Sequence, residues 1–393
     1  MGLTTLALAA SLTTQGQITA PIEVPFRITE DNDAMIVDAT LNGKTCSFMY
    51  DTGFGGEFVL NDRINIGKPS GYVTLRDFVG ELQAPVVTVN TLSIGGLKIQ
   101  SNEIECVQQP TSSFTLSYGM HCDGIMGFGV TKDYVTEINI EKKKFVFHPS
   151  SMDISKRKPD GVKTFLVRLE DHGLNSLELR CEINNKPLTL ALDTGNAFYT
   201  TTHKEVLERV GAWDNKKKPK FMKQSWVASG PVDSFSIYLK DSKIFGVPVS
   251  EAVWDIIDLP SSSAEHDGTV GFGFLRNFNI IIDYDRRCVW LENFTGKVSD
   301  PPLAEPGLLV YPDRSGKYII RRVYPGGPAD AAGIKEGDAL MMVGTKSMTM
   351  VRPSELEALL RGPEGSTVKI ATSRAGVLSR NELKRALMVN GRD

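Results

Sequence analysis

The sequence predicts a mainly β chain of two related units followed by a third, smaller module. Three observations carry this. The triplet Asp-Thr-Gly occurs twice, at Asp51 and Asp193, each time where an apolar strand pattern ends. The segment DGIMGFG (123–129) returns as DGTVGFG (267–273), 144 positions further on. After the Pro-rich stretch DPPLAEPG (300–307) the pattern changes to short apolar runs around PGGPADAAGIKEGDAL (325–340).

The elements follow in chain order. The N-terminus carries a short apolar run with small residues, Ala7-Leu8-Ala9, but no positive leader. Residues 1–20 are therefore expected to be a signal peptide or an unstructured tail, and the protein is expected to be exported, periplasmic or extracellular, with a cytoplasmic location as the alternative. LNGK (41–44) and INNK (183–186) are hairpin-turn signals, and each turn Asn lies nine positions before its Asp. Each unit thus reads as strand, tight turn, strand, then the triplet. Downstream, Tyr134 aligns with Phe278, Ile138 with Ile282, Glu141 with Asp285, and Phe145-Val146-Phe147 with Val289-Trp290-Leu291. Both stretches read as a glycine turn, a strand, a charged turn (Lys142-Lys143, Arg286-Arg287) and another strand. Ordered matches over two units of ~100 residues mark an internal duplication.

On these residues the chain resembles the aspartic peptidases, and within them the bacterial retropepsin-like type that carries both lobes in one polypeptide. The resemblance covers about residues 21–295. It implies two pepsin/retropepsin-like β-barrel lobes, 21–150 and 151–299. Asp51 and Asp193 would be the catalytic pair on loops at the lobe interface, with Gly127 and Gly271 in the segments packed beside them. Ile125-Met126-Gly127 fits that element, whereas Thr269-Val270-Gly271 replaces one apolar residue by Thr. The chemistry explains the symmetry. Two close carboxyls cannot both ionise cheaply, so they share a proton, one serving as base and the other as acid. Gly53 and Gly195 let the loops approach where a Cβ would collide. Thr52 and Thr194 resemble the family's hydroxyls that bond across to the opposite lobe. The expected function is an aspartic endopeptidase. Its alternative is an inactive peptide-binding scaffold, marked by Phe54 where the family usually has a small residue; Asn196 stands at the equivalent place.

The windows 70–83 and 225–239 occupy the flap positions, with Tyr72, Phe78, Trp226 and Phe235 as substrate-facing aromatics. DNKKKPK (214–220), His121 and His266 read as ordinary loops. The five cysteines read as buried thiols, with Cys106–Cys122 the one bridge considered. No metal or cofactor is expected. The net charge of −3 gives no reason to expect a nucleic-acid partner. No apolar run reaches the ~18 residues of a transmembrane span.

Residues 302–393 resemble a bacterial-type PDZ domain, a small α+β module. The motifs are GLLV (307–310), the 325–340 segment and a helix from about Pro353 to Arg361 with Leu356, Leu359 and Leu360 grouped on it. The resemblance implies that Gly307, Leu308, Leu309 and Val310 form a loop receiving a terminal carboxylate, with an extended chain end added as a strand. The expected partners are a peptide or protein substrate and a C-terminal peptide ligand of this module, which is expected to fold independently behind a Pro-rich linker.

Overall fold

A computed structural model describes residues 18–30, 33–76, 81–110, 120–170, 176–214, 216–227, 230–257, 267–313 and 315–391. Phe78, His266 and the N-terminal run 1–17 lie outside these residues. The chain is mainly β.

The first half contributes β1 (Ile22–Pro25), β2 (Arg27–Ile28), β3 (Met35–Leu41), β4 (Lys44–Asp51), β5 (Phe58–Asn61), β6 (Gly71–Arg76), β7 (Glu81–Ile94), β8 (Leu97–Gln109), β9 (Gly124–Gly127), β10 (Val135–Asn139) and β11 (Lys144–His148). The second half contributes β12 (Thr164–Arg168), β13 (Glu178–Ile183), β14 (Lys186–Leu192), β15 (Thr200–His203), the helix α1 (Lys204–Val210), β16 (Met222–Val227), β17 (Gly230–Ile244), β18 (Val247–Ile257), β19 (Gly268–Val270), the short helix α2 (Phe272–Leu275), β20 (Phe278–Asp283) and β21 (Cys288–Asn293).

The two halves share their wiring. In the first, the β3–β4 hairpin turns on Asn42 and Gly43, with φ of 49° and 83°; in the second, β13–β14 turns on Asn184 and Asn185, with φ of 52° and 59°. Left-handed backbone at both central positions is the hairpin turn that matches strand twist, and it is why Asn and Gly stand there. Strand β9 then runs parallel to β4, and β19 parallel to β14, so each triplet is held against a glycine segment from later in the chain. The strand orders are β2-β3-β4-β9-β5-β8-β7-β6 in the first half and β13-β14-β19-β15-β18-β17-β16 in the second.

A third sheet joins the halves. Its order is β1-β11-β10-β20-β21-β12, so strands from both halves meet at the antiparallel β10–β20 pair. There Glu137 faces Ile281, its own equivalent 144 positions on, flanked by Thr136–Ile282 and Ile138–Ile280. An antiparallel pair centred on a residue and its repeat has two-fold symmetry, as in an isologous dimer contact. The sequence reading did not foresee this shared sheet. One continuous apolar core accordingly runs through both halves. All five cysteines are buried and unbridged in the structure, so Cys106 and Cys122 are not paired. Burial pushes the Cys46 and Cys122 thiols up to about 11.

The third module has its own core around Ile320, Leu340, Leu356 and Ile370. It comprises β22 (Leu308–Pro312), β23 (Tyr318–Val323), α3 (Pro328–Ala331), β24 (Ala339–Val343), β25 (Lys346–Ser347), α4 (Pro353–Leu360), β26 (Thr367–Arg374) and β27 (Val377–Lys384), in the main strand order β22-β23-β24-β26-β27. The Pro-rich stretch before it is not a free linker. Asp300 pairs with β18 through Asp300 N to Glu251 O (3.0 Å) and Val253 N to Asp300 O (3.0 Å), while Ala304 and Glu305 pair with Gly362 and Ala386. The chain's last segment returns to the second half, where Asn390 pairs with Ile237. The expectation of an independently tethered module is corrected by these pairings.

Phe145 on β11 is fully buried, with ring centroids 4.8 Å from Phe26, 4.9 Å from Tyr50 and 6.1 Å from Phe147. Phe145→Ala is expected to lower unfolding stability by about 3–5 kcal/mol, read by chemical denaturation. A loss below 1 kcal/mol would show that the joining sheet contributes little to the fold.

Candidate active site

Asp51 ends β4 and Asp193 follows β14. After each, the chain must cross over the parallel glycine segment, and it does so by close backbone contact. Phe128 N donates to Phe54 O (2.9 Å) and Gly129 N to Gly56 O (3.0 Å). The second half repeats this with Phe272 N to Asn196 O (2.6 Å) and Gly273 N to Phe198 O (3.1 Å). A Cβ on Gly127 would sit 2.1 Å from Gly56 O, and one on Gly271 would sit 2.1 Å from Phe198 O. Glycine is required at both places for this steric reason.

The two triplets meet. Thr52 N donates to Thr194 Oγ1 (3.1 Å) and Thr194 N to Thr52 Oγ1 (3.0 Å). Each hydroxyl then donates to the strand end of the other half: Thr52 Oγ1 to Leu192 O (2.7 Å) and Thr194 Oγ1 to Tyr50 O (2.8 Å). Both threonines are essentially fully buried, so the four bonds form where water cannot replace them.

This clasp brings the carboxyls together. A Cβ on Gly53 would lie 2.6 Å from Asp193 Cγ, and one on Gly195 would lie 2.4 Å from Asp51 Cγ. Each glycine therefore makes room for the opposite carboxyl. Asp51 Oδ1 accepts from Gly53 N (2.8 Å) and Phe54 N (3.2 Å). Asp193 Oδ1 accepts from Gly195 N and Asn196 N, both at 3.0 Å. The two carboxyls also hydrogen-bond to each other. Burial pushes both above the ordinary carboxyl range. Asp193 is pushed further because the charge of Asp51 lies beside it. The proton belongs to the pair rather than to either member.

The departures at Phe54, Asn196 and Thr269 have a structural explanation. Phe54 is half-buried and packs with Ile125 against Val59, Ala84, Val86 and Val107, within the first half's apolar wall. In the second half the equivalent pair is polar. Asn196 Nδ2 donates to Thr269 Oγ1 (2.8 Å) and Thr201 Oγ1 (2.9 Å), and Thr269 in turn bonds to Asp193. One half supports its loop by packing, the other by hydrogen bonds.

The sequence reading missed Asp123 and Asp267. Each clips the strand before its triplet: Ser47 N to Asp123 Oδ2 (2.9 Å) with Asp123 N to Ser47 O (2.7 Å), and Thr189 N to Asp267 Oδ2 (2.9 Å) with Asp267 N to Thr189 O (2.8 Å). The signal available was their identity in both copies of the glycine segment. His121 lies 2.9 Å from Asp123.

The expected substrate-facing aromatics fare unevenly. Both flap windows do form hairpins, β6–β7 and β16–β17. Tyr72 on β6 is 76% exposed and free to meet a ligand. Phe235 is fully buried with its ring 5.2 Å from Trp213, so its expectation is corrected: it is a core residue. The side chains of Phe78 and Trp226 lie outside those described. In the third module only Gly307 (φ 77°) remains in a loop. Leu308, Leu309 and Val310 begin strand β22, and Leu308 is buried in the module's core, which corrects the expected four-residue loop. Among the described residues β22 pairs only with β23, leaving its other edge unpaired. Leu356 and Leu360 are buried beneath α4. Among the described residues no group of three His, Cys, Asp or Glu side chains is arranged to hold a metal ion, and no helix is long and apolar enough to cross a membrane.

Comparison with known proteins matches residues 319–374 to the PDZ domain family, and this establishes that module. Among curated proteins, the carboxy-terminal processing protease CtpA of Bacillus subtilis is 38% identical over 65 residues, 16% of this chain and 14% of that protein. The chain thus spans only a small part of the curated relative it matches. Among solved structures, a photosystem II D1 C-terminal processing protease aligns at 23% identity and a TM-score of 0.21, over 22% of this chain and 24% of that chain. The curated relative, named a carboxy-terminal processing protease, corrects the retropepsin-like aspartic endopeptidase expected from sequence. What is shown of this chain itself is the PDZ domain.

Two outcomes follow from the site's geometry. Thr194→Ala is expected to lower stability by about 1–3 kcal/mol, because it strands buried partners. The double variant with Thr52→Ala should cost less than the two single losses together, since the bonds are reciprocal; additive losses in a denaturation cycle would refute the coupling. The raised Asp193 carboxyl gives the second. A carboxyl whose folded pKa is raised keeps its proton when the unfolded chain has lost it, so stability falls as pH rises from about 4 towards the folded value. Asp193→Asn removes that penalty. The variant should gain stability relative to the natural protein as pH rises through this window and show no gain below it, read by melting temperature across pH 3 to 8 (~1 °C precision suffices for the ~4 °C per kcal/mol of a small domain).

Proposed function

We propose that this chain is a protease that acts on polypeptides presented by their C-termini, with Asp51 and Asp193 as its reacting groups. The observation that carries this reading is the close carboxyl pair, Asp193 buried and Asp51 partly exposed, held by the threonine clasp. Two carboxyls placed this closely can share a proton, one accepting it while the other supplies it. The repeated wiring of the halves supports reading 21–150 and 151–299 as duplicated lobes of the retropepsin-like kind, each supplying one carboxyl. Residues 302–393 form the third unit, in which β22 pairs, among the described residues, with β23 alone, so that its other edge fits addition of a chain end as a strand. The name of the curated relative, a carboxy-terminal processing protease, supports chain ends as the substrate class. Tyr72 on the β6–β7 hairpin is the proposed substrate-contacting aromatic.

Among the described residues, the hydrogen-bonded hydroxyl of Ser225 does not have the form of a nucleophile. Ser225 is buried, and its Oγ bonds to Ser234 Oγ (2.7 Å) and Asp255 Oδ2 (2.9 Å) rather than to a nitrogen base.

The test pairs two substitutions with a probe. Asp51→Asn and Asp193→Asn should each lower peptide hydrolysis by at least ~10³-fold while the fold is retained, because neither carboxyl can replace the other. A serine-directed fluorophosphonate should leave the enzyme unlabelled and active. Retained turnover in either variant, or stoichiometric labelling with loss of activity, would overturn the assignment.

A further inference from the structure

The tail of the chain is bound to the second half by a dense set of bonds centred on one side chain. Asn390 is buried. Its Oδ1 accepts from Lys220 N (2.8 Å) and Phe221 N (3.3 Å), and its Nδ2 donates to Phe221 O (3.2 Å) and Ser236 O (2.9 Å). Its backbone adds Asn390 N to Ser236 O (3.1 Å) and Tyr238 N to Asn390 O (2.9 Å). Every polar group of this residue is thus committed to residues 220–238. Gly391 follows at φ 84°, where a Cβ would lie 2.8 Å from Ile237 Cγ1, so the closeness of this contact needs glycine. Nearby, the rings of Phe221 and Tyr324 meet edge to face with centroids 5.6 Å apart.

The PDZ domain is also held elsewhere. Arg352, just before α4, pairs with Glu30 of the first half at 2.6 Å. Tyr311 on β22 lies within electrostatic reach of Asp255 on β18 and of Glu357 on α4. Asp255 binds Lys223 at 2.5 Å, and Lys223 Nζ lies 5.0 Å over the ring of Phe198, five positions after Asp193. Lys223 thus joins Asp255 on β18 to the loop that follows one of the paired carboxyls, and Tyr311 of the PDZ domain lies within electrostatic reach of the same Asp255.

We propose that this docking fixes the distance between the PDZ groove and the carboxyl pair, so that substrates are cut at a set spacing from their free C-terminus, with Asn390 as the positioning residue. The inference rests on the function proposed above. A module on a Pro-rich or flexible tether would sample many positions, and cuts would be spread over many bonds. A module fixed to both halves holds the substrate in one register and raises its local concentration at the cleft.

The experiment uses the full chain and unstructured polypeptides of one repeated sequence, so that many equivalent bonds compete. They are made in two lengths, each with a free or an amidated C-terminus. Products are mapped by mass spectrometry. The natural protein should cut the free-ended chains at one spacing from the C-terminus, unchanged when residues are added at the N-terminus. Amidation should abolish the preference. Asn390→Ala and, independently, Phe221→Leu should broaden the spacing and raise KM for the free-ended chains by roughly tenfold. Both should leave kcat/KM for a short blocked peptide within about twofold. A merely structural role would lower turnover of every substrate and leave the cut position alone. If both variants fold, shown by melting and hydrogen exchange, yet keep the natural spacing, the inference is overturned. It is overturned equally if the natural protein ignores the C-terminus. Asp51→Asn, run in parallel, separates the two claims. Cutting that survives in it refutes the function proposed above, whereas cutting lost in it with unchanged spacing in the interface variants refutes only this inference.

Discussion

The reciprocal bonds between Thr52 and Thr194 are the constraint on which the rest of the site depends. They place two loops from opposite halves in a contact too close for any side chain but hydrogen at Gly53 and Gly195. Once that contact exists, the carboxyls of Asp51 and Asp193 must face each other in a buried setting. Their raised affinity for protons follows from burial and from their proximity. The chemistry is thus a consequence of symmetry, and the symmetry is upheld by two hydroxyls and two amides.

The same axis reappears at the base of the molecule, where Glu137 faces its own repeat, Ile281. The threonine clasp and the joining sheet hold the halves at two levels. Between them lies a continuous aromatic and aliphatic core, with Phe145 and Phe147 contributed by one half and Phe274 and Phe278 by the other. A rigid frame of this kind can tolerate unlike supports around the carboxyls. Phe54 and Ile125 pack on one side, whereas Asn196 and Thr269 hydrogen-bond on the other. The two carboxyls thus have unlike surroundings: the Thr269 hydroxyl bonds to Asp193 and favours its ionised form, and an isoleucine cannot do the same for Asp51.

The C-terminal module shows how a boundary drawn on composition can mislead. Prolines at 301, 302 and 306 suggest a spacer. Yet proline lacks only its own N–H, and the residues between it kept theirs. Asp300, Ala304 and Glu305 use those groups to pair with β18 and with the module. The stretch is an extended strap, and the tail beyond β27 is a second one. The family match for residues 319–374 stops short of both straps.

What the sequence alone determined was local and repeated. The left-handed turns at Asn42-Gly43 and Asn184-Asn185, the triplets themselves and the obligatory glycines 127 and 271 are read from residues whose backbone demands are nearly independent of context. The repeat also revealed which carboxyls to pair, because two copies in order are far less accidental than one. The tertiary structure decided what depends on neighbours distant in the chain. Phe235 reads as a cleft aromatic by position but is buried against Trp213, and Leu308 reads as loop but begins a strand. Asp123 and Asp267 look like turn residues until the strand they clip is seen. Asn390, near the chain's end, carries no motif at all. Its role exists only because Lys220 and Phe221 present two amides and a carbonyl, and β17 a second carbonyl at Ser236, at the spacing of one side-chain amide, and that spacing is set by folding, not by sequence.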